Sequence, residues 1–392
     1  MLIQKLDNKG RGICFIDNKI TFVENALPDE DVDIDITLEK KKYNEAKVIK
    51  YNKTSSDRAI VNCPFYNECG GCDLLHLNYQ KELDFKKQKV MDILKKFGSI
   101  DYNIEKIISP IEYNYRNKAT FQVKENIGYY KKKSYDIISI DNCLLVDNRI
   151  NSILRDLKSL NLQNIEKFII RVGIDTMLII KTIGKIDIDF NKIDVDTIIV
   201  DEEVVKGIGY IKEKLDNFEF IISPNSFFQV NTKGAISLYN QVLEYADLKG
   251  NENILDLYCG TGTIGIFLAK YSNQVIGIEI NRSSVEDAIK NKKLNHVKNI
   301  DFICEDVSLT NLKDIDLVVV DPPRSGLDKK TINYLLNLKA NKIIYVSCDP
   351  VTLARDLKEL KTIYDIKDIT LVNMFPKTEH VETVMILERK AL

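Results

Sequence analysis

Polar and apolar residues alternate along residues 1 to about 57, with Ile13, Phe15, Ile20, Phe22, Val32, Ile34, Ile36, Ala46 and Val48 at the apolar positions. Period-two alternation predicts half-buried strands, and Asp17-Asn18 marks a tight turn between the second and third of them. Five short strands in so short a stretch predict a small closed OB-like β-barrel, a shape that often holds nucleic acid. Residues 79–97 switch to helical spacing. There Tyr79, Leu83, Val90, Ile93 and Leu94 lie among Lys81, Lys86, Lys87, Lys89, Lys95 and Lys96, so a basic helix is predicted. Short strands return from 111 to 150, then in pairs around 168–181 and 196–223. The last third has a different pattern. Nearly unbroken apolar runs at 254–258, 275–278, 302–304, 317–320 and 343–346 alternate with helical spacing. Such runs are strands buried on both faces, and their alternation with helices predicts a Rossmann-like α/β domain. The expected organisation is an N-terminal barrel over 1–57, a central α+β domain over 58–226 and a catalytic domain over 227–392. The helix at 79–97 is placed against the catalytic part.

The chemistry concentrates where those runs end. Ile254–Tyr258 is followed by Gly260-Thr-Gly262-Thr-Ile-Gly265 and a helix, and the next strand ends in Glu279, nineteen residues after Gly260. Glycines let a cofactor approach the backbone, and the acid can hold ribose hydroxyls. A dinucleotide loop must accept a pyrophosphate. Here Asp256 precedes the loop, Glu305-Asp306 ends the next strand and Asp321-Pro-Pro-Arg324 the one after. Carboxylates at each strand end suit a cationic ligand, which favours S-adenosylmethionine over a nicotinamide dinucleotide.

Ile343-Ile-Tyr-Val-Ser347 leads to Cys348, and Asp349-Pro350 opens a helix. A thiol at the carboxyl end of a buried strand sits where open α/β sheets place ligands, and its thiolate is a strong nucleophile. The plainer alternative is a small buried hydrophobe. Glu382 stands just before the apolar run Val384–Leu387, as a cleft-facing carboxylate or an ordinary surface glutamate. Further upstream, Cys63, Cys69 and Cys72 have C-x5-C-x2-C spacing with two glycines in the tighter turn. Thiolates select zinc or iron–sulfur clusters. The fourth ligand is open between His76, for zinc, and Cys143, for a four-thiolate cluster.

Eight cysteines in this distribution make a poor disulfide framework and suit a reducing cytoplasm. Met1–Gly10 has no apolar run of a signal peptide, and no stretch approaches the ~20 apolar residues of a membrane span. Net charge is −2, so nucleic acid must be met by a local patch. Arg116, Lys118 and Lys131–Lys133 beside Tyr113, Tyr115, Tyr129 and Tyr130 are the candidate, cations for phosphate and aromatics for bases. The acidic run Asp29–Asp35 argues against its own strand touching RNA.

Together these blocks resemble the bacterial RNA uridine-5-methyltransferases, in particular the iron–sulfur-containing 23S rRNA branch, over nearly the whole chain. Gly10-Arg11-Gly12 and Ala26-Leu27-Pro28 resemble a TRAM domain. Cys69-Gly-Gly-Cys72, Ser223–Asn231, Asp256–Gly262, Asp321–Arg324, Ser347–Pro350 and His380-Val-Glu382-Thr-Val resemble the family's blocks. The resemblance implies Cys348 as nucleophile and Glu382 as base. Gln229, Tyr258, Gly260, Glu279 and Asp321 would surround S-adenosylmethionine and the target base, and Cys63, Cys69, Cys72 and Cys143 would hold a [4Fe-4S] cluster. It implies RNA, 23S rRNA first, as partner, on the ground that tRNA-acting relatives lack the barrel and the cluster. A cytoplasmic monomer without membrane or protein partner is expected. The alternatives are a tRNA uridine-5-methyltransferase and a non-enzymatic ribosome-binding protein with this fold. An amino-group methyltransferase would have no use for Cys348.

Overall fold

The computed structural model describes residues 1–391. Its largest sheet is built from β1 (Asn253–Leu257), β2 (Gln274–Glu279), β3 (Ile300–Cys304), β4 (Leu317–Val320), β5 (Lys342–Ser347), β6 (Tyr364–Val372) and β7 (Glu382–Arg389). The spatial order is β3-β2-β1-β4-β5-β7-β6, and a short strand, Ile107–Ile108, adds to the outer edge of β6. The first five strands are parallel, and β7 alone inserts antiparallel between β5 and β6. Apolar clusters cover both faces of the inner strands, which is why these read as continuous hydrophobic runs; β3 has such a run too, but as an edge strand it leaves Ile303 and Cys304 exposed.

One of those faces is closed by chain from far upstream. The helix α1 (Tyr79–Gly98) is capped by Asn78, whose side chain accepts from Gln80 N, and stops at Ser99 in the left-handed region. Its Val90, Ile93 and Leu94, with Ile100 and Ile104, join the same core as Val318, Val320, Leu353 and Leu357. It packs on α3 (Pro350–Leu360) so closely that a Cβ on Gly98 would lie 3.3 Å from the Ala354 carbonyl. The helix carries its expected lysines, but two of them, Lys86 and Lys89, turn inward. Lys86 Nζ donates to Glu82 Oε1 (2.7 Å), Asn373 Oδ1 (2.7 Å) and the Phe375 carbonyl (3.1 Å). Lys89 Nζ donates to the Glu379 carbonyl (2.8 Å) and pairs with that residue's carboxylate. Lys377 is 2% exposed and pairs with Glu112 (2.7 Å) and Glu82 (3.5 Å).

The hairpin Ile211–Leu215/Phe218–Ile222 also packs on the catalytic core, Phe220 stacking at 6.4 Å on Phe267 of α2 (Thr263–Ala269). The hydrophobic core therefore crosses the boundary expected at 226–227. The rest of the middle of the chain is a seven-stranded sheet over Lys118–Lys206, backed by a helix, Asn148–Leu157, that the strand pattern missed.

At the N-terminus, five strands run in the order Lys5–Leu6, Gly12–Ile16, Lys19–Glu24, Tyr43–Lys53, Asp31–Glu39. Asp17 and Asn18 both have positive φ, as a two-residue hairpin turn requires. The expected closed barrel is not found. The five strands form an open sheet, whose outer ends are joined outside those strands by the Leu2–Asp31 bridge and by hydrogen bonds from Ile3 N to the Glu30 carbonyl (2.9 Å), Asp29 N to the Ile3 carbonyl (3.0 Å) and Val32 N to the Met1 carbonyl (3.0 Å). The acidic run is matched within the sheet: Glu30 is fully buried under a two-pronged pair with Arg58 (2.5 and 2.6 Å), and Asp35 meets Lys47 at 3.4 Å. No helix among the described residues is long and apolar enough to cross a membrane.

Breaking a buried ion pair strands the surviving charge, which costs about 3–5 kcal/mol. Lys86→Ala should lower the urea-unfolding free energy by that much. Lys95→Ala, at the exposed Lys95–Asp101 pair, should cost less than about 1 kcal/mol. Equal losses at the two positions would contradict the buried network.

Candidate active site

Strand register brings the candidate residues together. Ser347 of β5 lies opposite Thr383 of β7, so the next step along each chain sets Cys348 across from Glu382. Leu257 pairs with Ile278 and with Val320, so Tyr258, Glu279 and Asp321 follow at the same carboxyl edge of the sheet. That edge is where open α/β sheets take ligands.

The loop between β1 and α2 is held from beneath. Asp256 is fully buried, and its Oδ2 accepts from Gly265 N at 2.9 Å while Oδ1 has no partner. Asp256 thus organises the loop rather than meeting a ligand at the surface, a correction to its expected role. Glu279 accepts from Gly260 N (3.1 Å) and Asn281 N (2.7 Å). Tyr258 takes φ +62°, unusual outside glycine. Gly260 is also left-handed, and a Cβ there would meet nothing within 4 Å, so this backbone faces open room. Gln229, Tyr258, Gly260 and Asp321 line one cleft, together with Phe227 and Tyr239. Sequence reasoning missed the last two. Phe227 is 69% exposed at the cleft, and Tyr239 Oη accepts from Thr263 Oγ1 at 3.1 Å.

Burial governs the protonation of this edge. Desolvation lifts the Glu382 carboxyl to about 8, with the charge of Asp321 adding and that of Arg324 opposing. Desolvation alone lifts Asp321 to about 7. Asp256 rises to about 8 through burial, then the charges of Asp321 and Glu279, against the Gly265 hydrogen bond. The Cys348 thiol is pushed up to about 11 by burial, then by Glu382 and Asp321, and Arg324 is the main opposing charge. Arg324 was quoted only as part of a motif, but it is the exposed cation nearest in effect to both Cys348 and Glu382. Its loop is pinned by Arg355, which donates to the Ser325 and Leu327 carbonyls.

A second cavity, of about 330 Å³, is lined by Cys63, Cys69, Cys72 and Cys143 with Arg116 and Tyr129. Asn151 clamps Cys143 by accepting from its N–H (2.9 Å) and donating to its carbonyl (3.1 Å). His76 does not line the cavity. It is 1% exposed, its Nδ1 shares a hydrogen with Tyr66 Oη at 2.6 Å, and burial depresses its pKa to about 3. Among the described residues no group of three or more His, Cys, Asp or Glu side chains is arranged to hold a metal ion. The basic strip beside this cavity differs from its expected form. Arg116 is half-buried with an unpartnered Nε, Lys131 pairs with Glu68 at 3.0 Å, and Lys133 pairs with Glu24 (3.1 Å) and Glu45 (2.6 Å) across the N-terminal sheet.

The profile of the tRNA (Uracil-5-)-methyltransferase family matches residues 178–390, and that of the TRAM domain matches residues 1–49. An uncharacterized RNA methyltransferase of Clostridium tetani is 35% identical over 99% of this chain and 95% of its own. One from Staphylococcus aureus is 34% identical over 98% and 96%. The chain belongs to the RNA uracil-5-methyltransferase family. Among solved structures, the Pyrococcus abyssi tRNA (uracil-54, C5)-methyltransferase in complex with S-adenosyl-L-homocysteine has a TM-score of 0.84 at 29% identity, covering 99% of both chains. The protein is accordingly an S-adenosylmethionine-dependent RNA uracil-5-methyltransferase with an N-terminal TRAM domain. The same neighbour removes one ground for choosing among RNAs. A tRNA-acting enzyme has a counterpart for nearly all of this chain, so tRNA-acting relatives do not in general lack its additional regions.

The site fits a cationic nucleoside: the loop leaves room at Gly260, and buried carboxyls converge with little cationic compensation. Those carboxyls make a stability prediction. Unfolded, they titrate near 4; folded, Asp256, Asp321 and Glu382 stay protonated to about 7 or 8. The folded state binds more protons in between, so their contribution is full below the unfolded pKa and lost as pH rises through the folded one. Ligand-free protein should show a urea midpoint that falls from mildly acidic to mildly alkaline pH, and Asp256→Asn should flatten that slope. A midpoint that climbs over the same interval would show that these groups are ionised.

Proposed function

We propose that the protein methylates carbon 5 of a uridine in 23S rRNA through a covalent adduct between Cys348 and carbon 6. The observation that carries the covalent chemistry is the register that sets Cys348 across from Glu382 at the ligand edge of the sheet, whereas the choice of 23S rRNA rests on the resemblance of the four-cysteine motif to the iron–sulfur branch of the family. Carbon 5 of uracil is a weak nucleophile. Addition of the Cys348 thiolate to carbon 6 makes the ring an enolate whose carbon 5 can attack a methyl group. S-adenosylmethionine supplies that methyl as an electrophilic sulfonium. Glu382 then takes the proton from carbon 5, the electrons of that bond re-form the ring double bond, and the Cys348 sulfur leaves. A carboxyl lifted to about 8 can take up and return a proton near neutral pH. Arg324 favours the thiolate and opposes the rise that burial imposes on Cys348. Gln229, Tyr258, Gly260, Glu279 and Asp321 hold the methyl donor and the splayed-out base, a placement supported by their common cleft and strand ends.

The four-cysteine cavity is proposed to hold a [4Fe-4S] cluster. Four thiols line one cavity, four-thiolate donor chemistry suits iron–sulfur, and His76, the ligand that would favour zinc, is engaged with Tyr66 elsewhere. No step of methyl transfer passes through it. A second reading, a tRNA uridine as substrate, is favoured by the likeness to the Pyrococcus abyssi enzyme. Mapping 5-methyluridine in 23S rRNA and tRNA from cells with and without the protein separates the two: the missing methyl names the substrate.

Two laboratory outcomes are expected. Cys348→Ala should bind RNA yet form no adduct, whereas Glu382→Gln should methylate once and stall as a protein–RNA species that survives denaturant. Loss of a general base typically slows a reaction by ~10²–10⁴, enough for that species to accumulate on a denaturing gel. Normal turnover by Glu382→Gln would move the base elsewhere. Anaerobically purified protein should also be brown, with about four irons per chain. Cys143→Ala should bleach it and His76→Ala should not; stoichiometric zinc in place of iron would exclude the cluster.

A further inference from the structure

Residues 373–381 form a strap between β6 and β7, and the strap delivers the chain to Glu382. Lys377, at its centre, is nearly fully buried and sits at φ +65°. A non-glycine residue stays there only when its surroundings over-determine it. One set of ties comes from α1: Glu82 accepts from Lys377 N (2.9 Å), and Lys86 and Lys89 donate to the Phe375 and Glu379 carbonyls. The other set comes from the cysteine-bearing loop. Asp73 N and Leu74 N both donate to the Lys377 carbonyl (3.0 Å each), and Asp73 Oδ2 accepts from Glu379 N (3.2 Å). Asp73 follows Cys72 directly, and its carbonyl accepts from Tyr66 Oη (3.0 Å), another side chain of the cysteine cavity. Tyr115, buried nearby, donates to the Pro376 carbonyl (3.0 Å).

We propose that Asp73 is a positioning residue for Glu382, coupling the turn at Cys69–Cys72 to the strap so that the state of the cysteine cavity sets the placement of the base. The proposal deepens the covalent reading above and rests on it. Glu379, held by Asp73, is three residues from Glu382, a span too short to absorb a shift without moving the carboxylate. Misplacing a reacting group by about 1 Å costs up to roughly 10²-fold in rate. The cost falls on removal of the carbon 5 proton, the step Glu382 performs. RNA binding and thiolate addition depend on other residues.

The experiment follows single turnover on the RNA transcript that the wild-type protein methylates, with the covalent species resolved on denaturing gels. Asp73→Ala should form the adduct at the wild-type rate and resolve it roughly 10- to 100-fold more slowly, with KM for RNA and metal content unchanged. Asp73→Asn, whose amide oxygen can still accept from Glu379 N, should recover most of the lost rate. Tyr66→Phe, which frees the Asp73 carbonyl, should slow the same step less and serves if Asp73→Ala fails to fold. Wild-type resolution in both Asp73→Ala and Tyr66→Phe overturns the proposal, as does a raised KM with unchanged kcat. A defect in Asp73→Asn equal to that in Asp73→Ala also overturns it, since the hydrogen bond would then not be the link. Wild-type protein with 5-fluorouridine RNA is the control. If it traps no adduct at Cys348, the covalent reading fails irrespective of Asp73.

Discussion

Everything at the ligand edge depends on one strand running the wrong way. In a wholly parallel sheet every strand would present its carboxyl end to the ligand. Because β7 is antiparallel, its first residue arrives at the edge where β1, β2, β4 and β5 finish. The register opposite β5 then leaves Glu382 no other place than beside Cys348. A slip of one residue would turn Glu382 to the opposite face of the sheet. The apolar side chains Val384, Met385, Ile386 and Leu387, divided between the two cores, make such a slip expensive. Hydrophobic packing thereby fixes which residue faces Cys348.

That placement has an electrostatic cost which the rest of the edge shares. Asp256 and Glu382 are buried and Asp321 is half-buried between them in effect, its charge raising both, and among the three Arg324 opposes the rise at Glu382 alone. Burying a charge without a partner is unfavourable, so the groups keep their protons instead. Asp256 spends one oxygen on the Gly265 amide, whereas Asp321 and Glu382 stand at the carboxyl edge of the sheet. By contrast, the charges behind the strap are fully matched, Lys86 and Lys377 against Glu82 and Glu112. Ion pairs act as structure there, while at the ligand edge the acids stand without cationic partners of that kind.

Much of the site was legible because its residues are local signals. The glycine loop, the acid at the end of β2, Asp321-Pro-Pro and Ser-Cys348-Asp-Pro each combine a strand end with a backbone requirement in a few residues. The inward turn of Lys86 and Lys89 was not legible. Their partners lie nearly three hundred residues away, and nothing in the local spacing separates a buried lysine from a solvated one. Glu382 posed the same difficulty, since burial depends on strand pairing and not on neighbours in sequence. The N-terminal barrel was overread because alternation predicts strands but says nothing about whether the sheet closes. Arg116 was assigned to phosphate by composition, whereas the structure spends it on the cysteine cavity.

The cover provided by α1 and Ile107–Ile108 also has a consequence in time. A ribosome adds roughly 5–20 residues per second, so about 14 to 56 s separate the emergence of residue 108 from that of residue 387, where the sheet they cover is completed. For most of that interval, until Val318, Val320, Leu353 and Leu357 are made, Val90, Ile93, Leu94, Ile100 and Ile104 have no native surface to rest on. The last-made strands are thus the ones on which the first-made helix must wait. A chain stopped before β7 would lack Met385 and Leu387 from the core that its oldest helix closes.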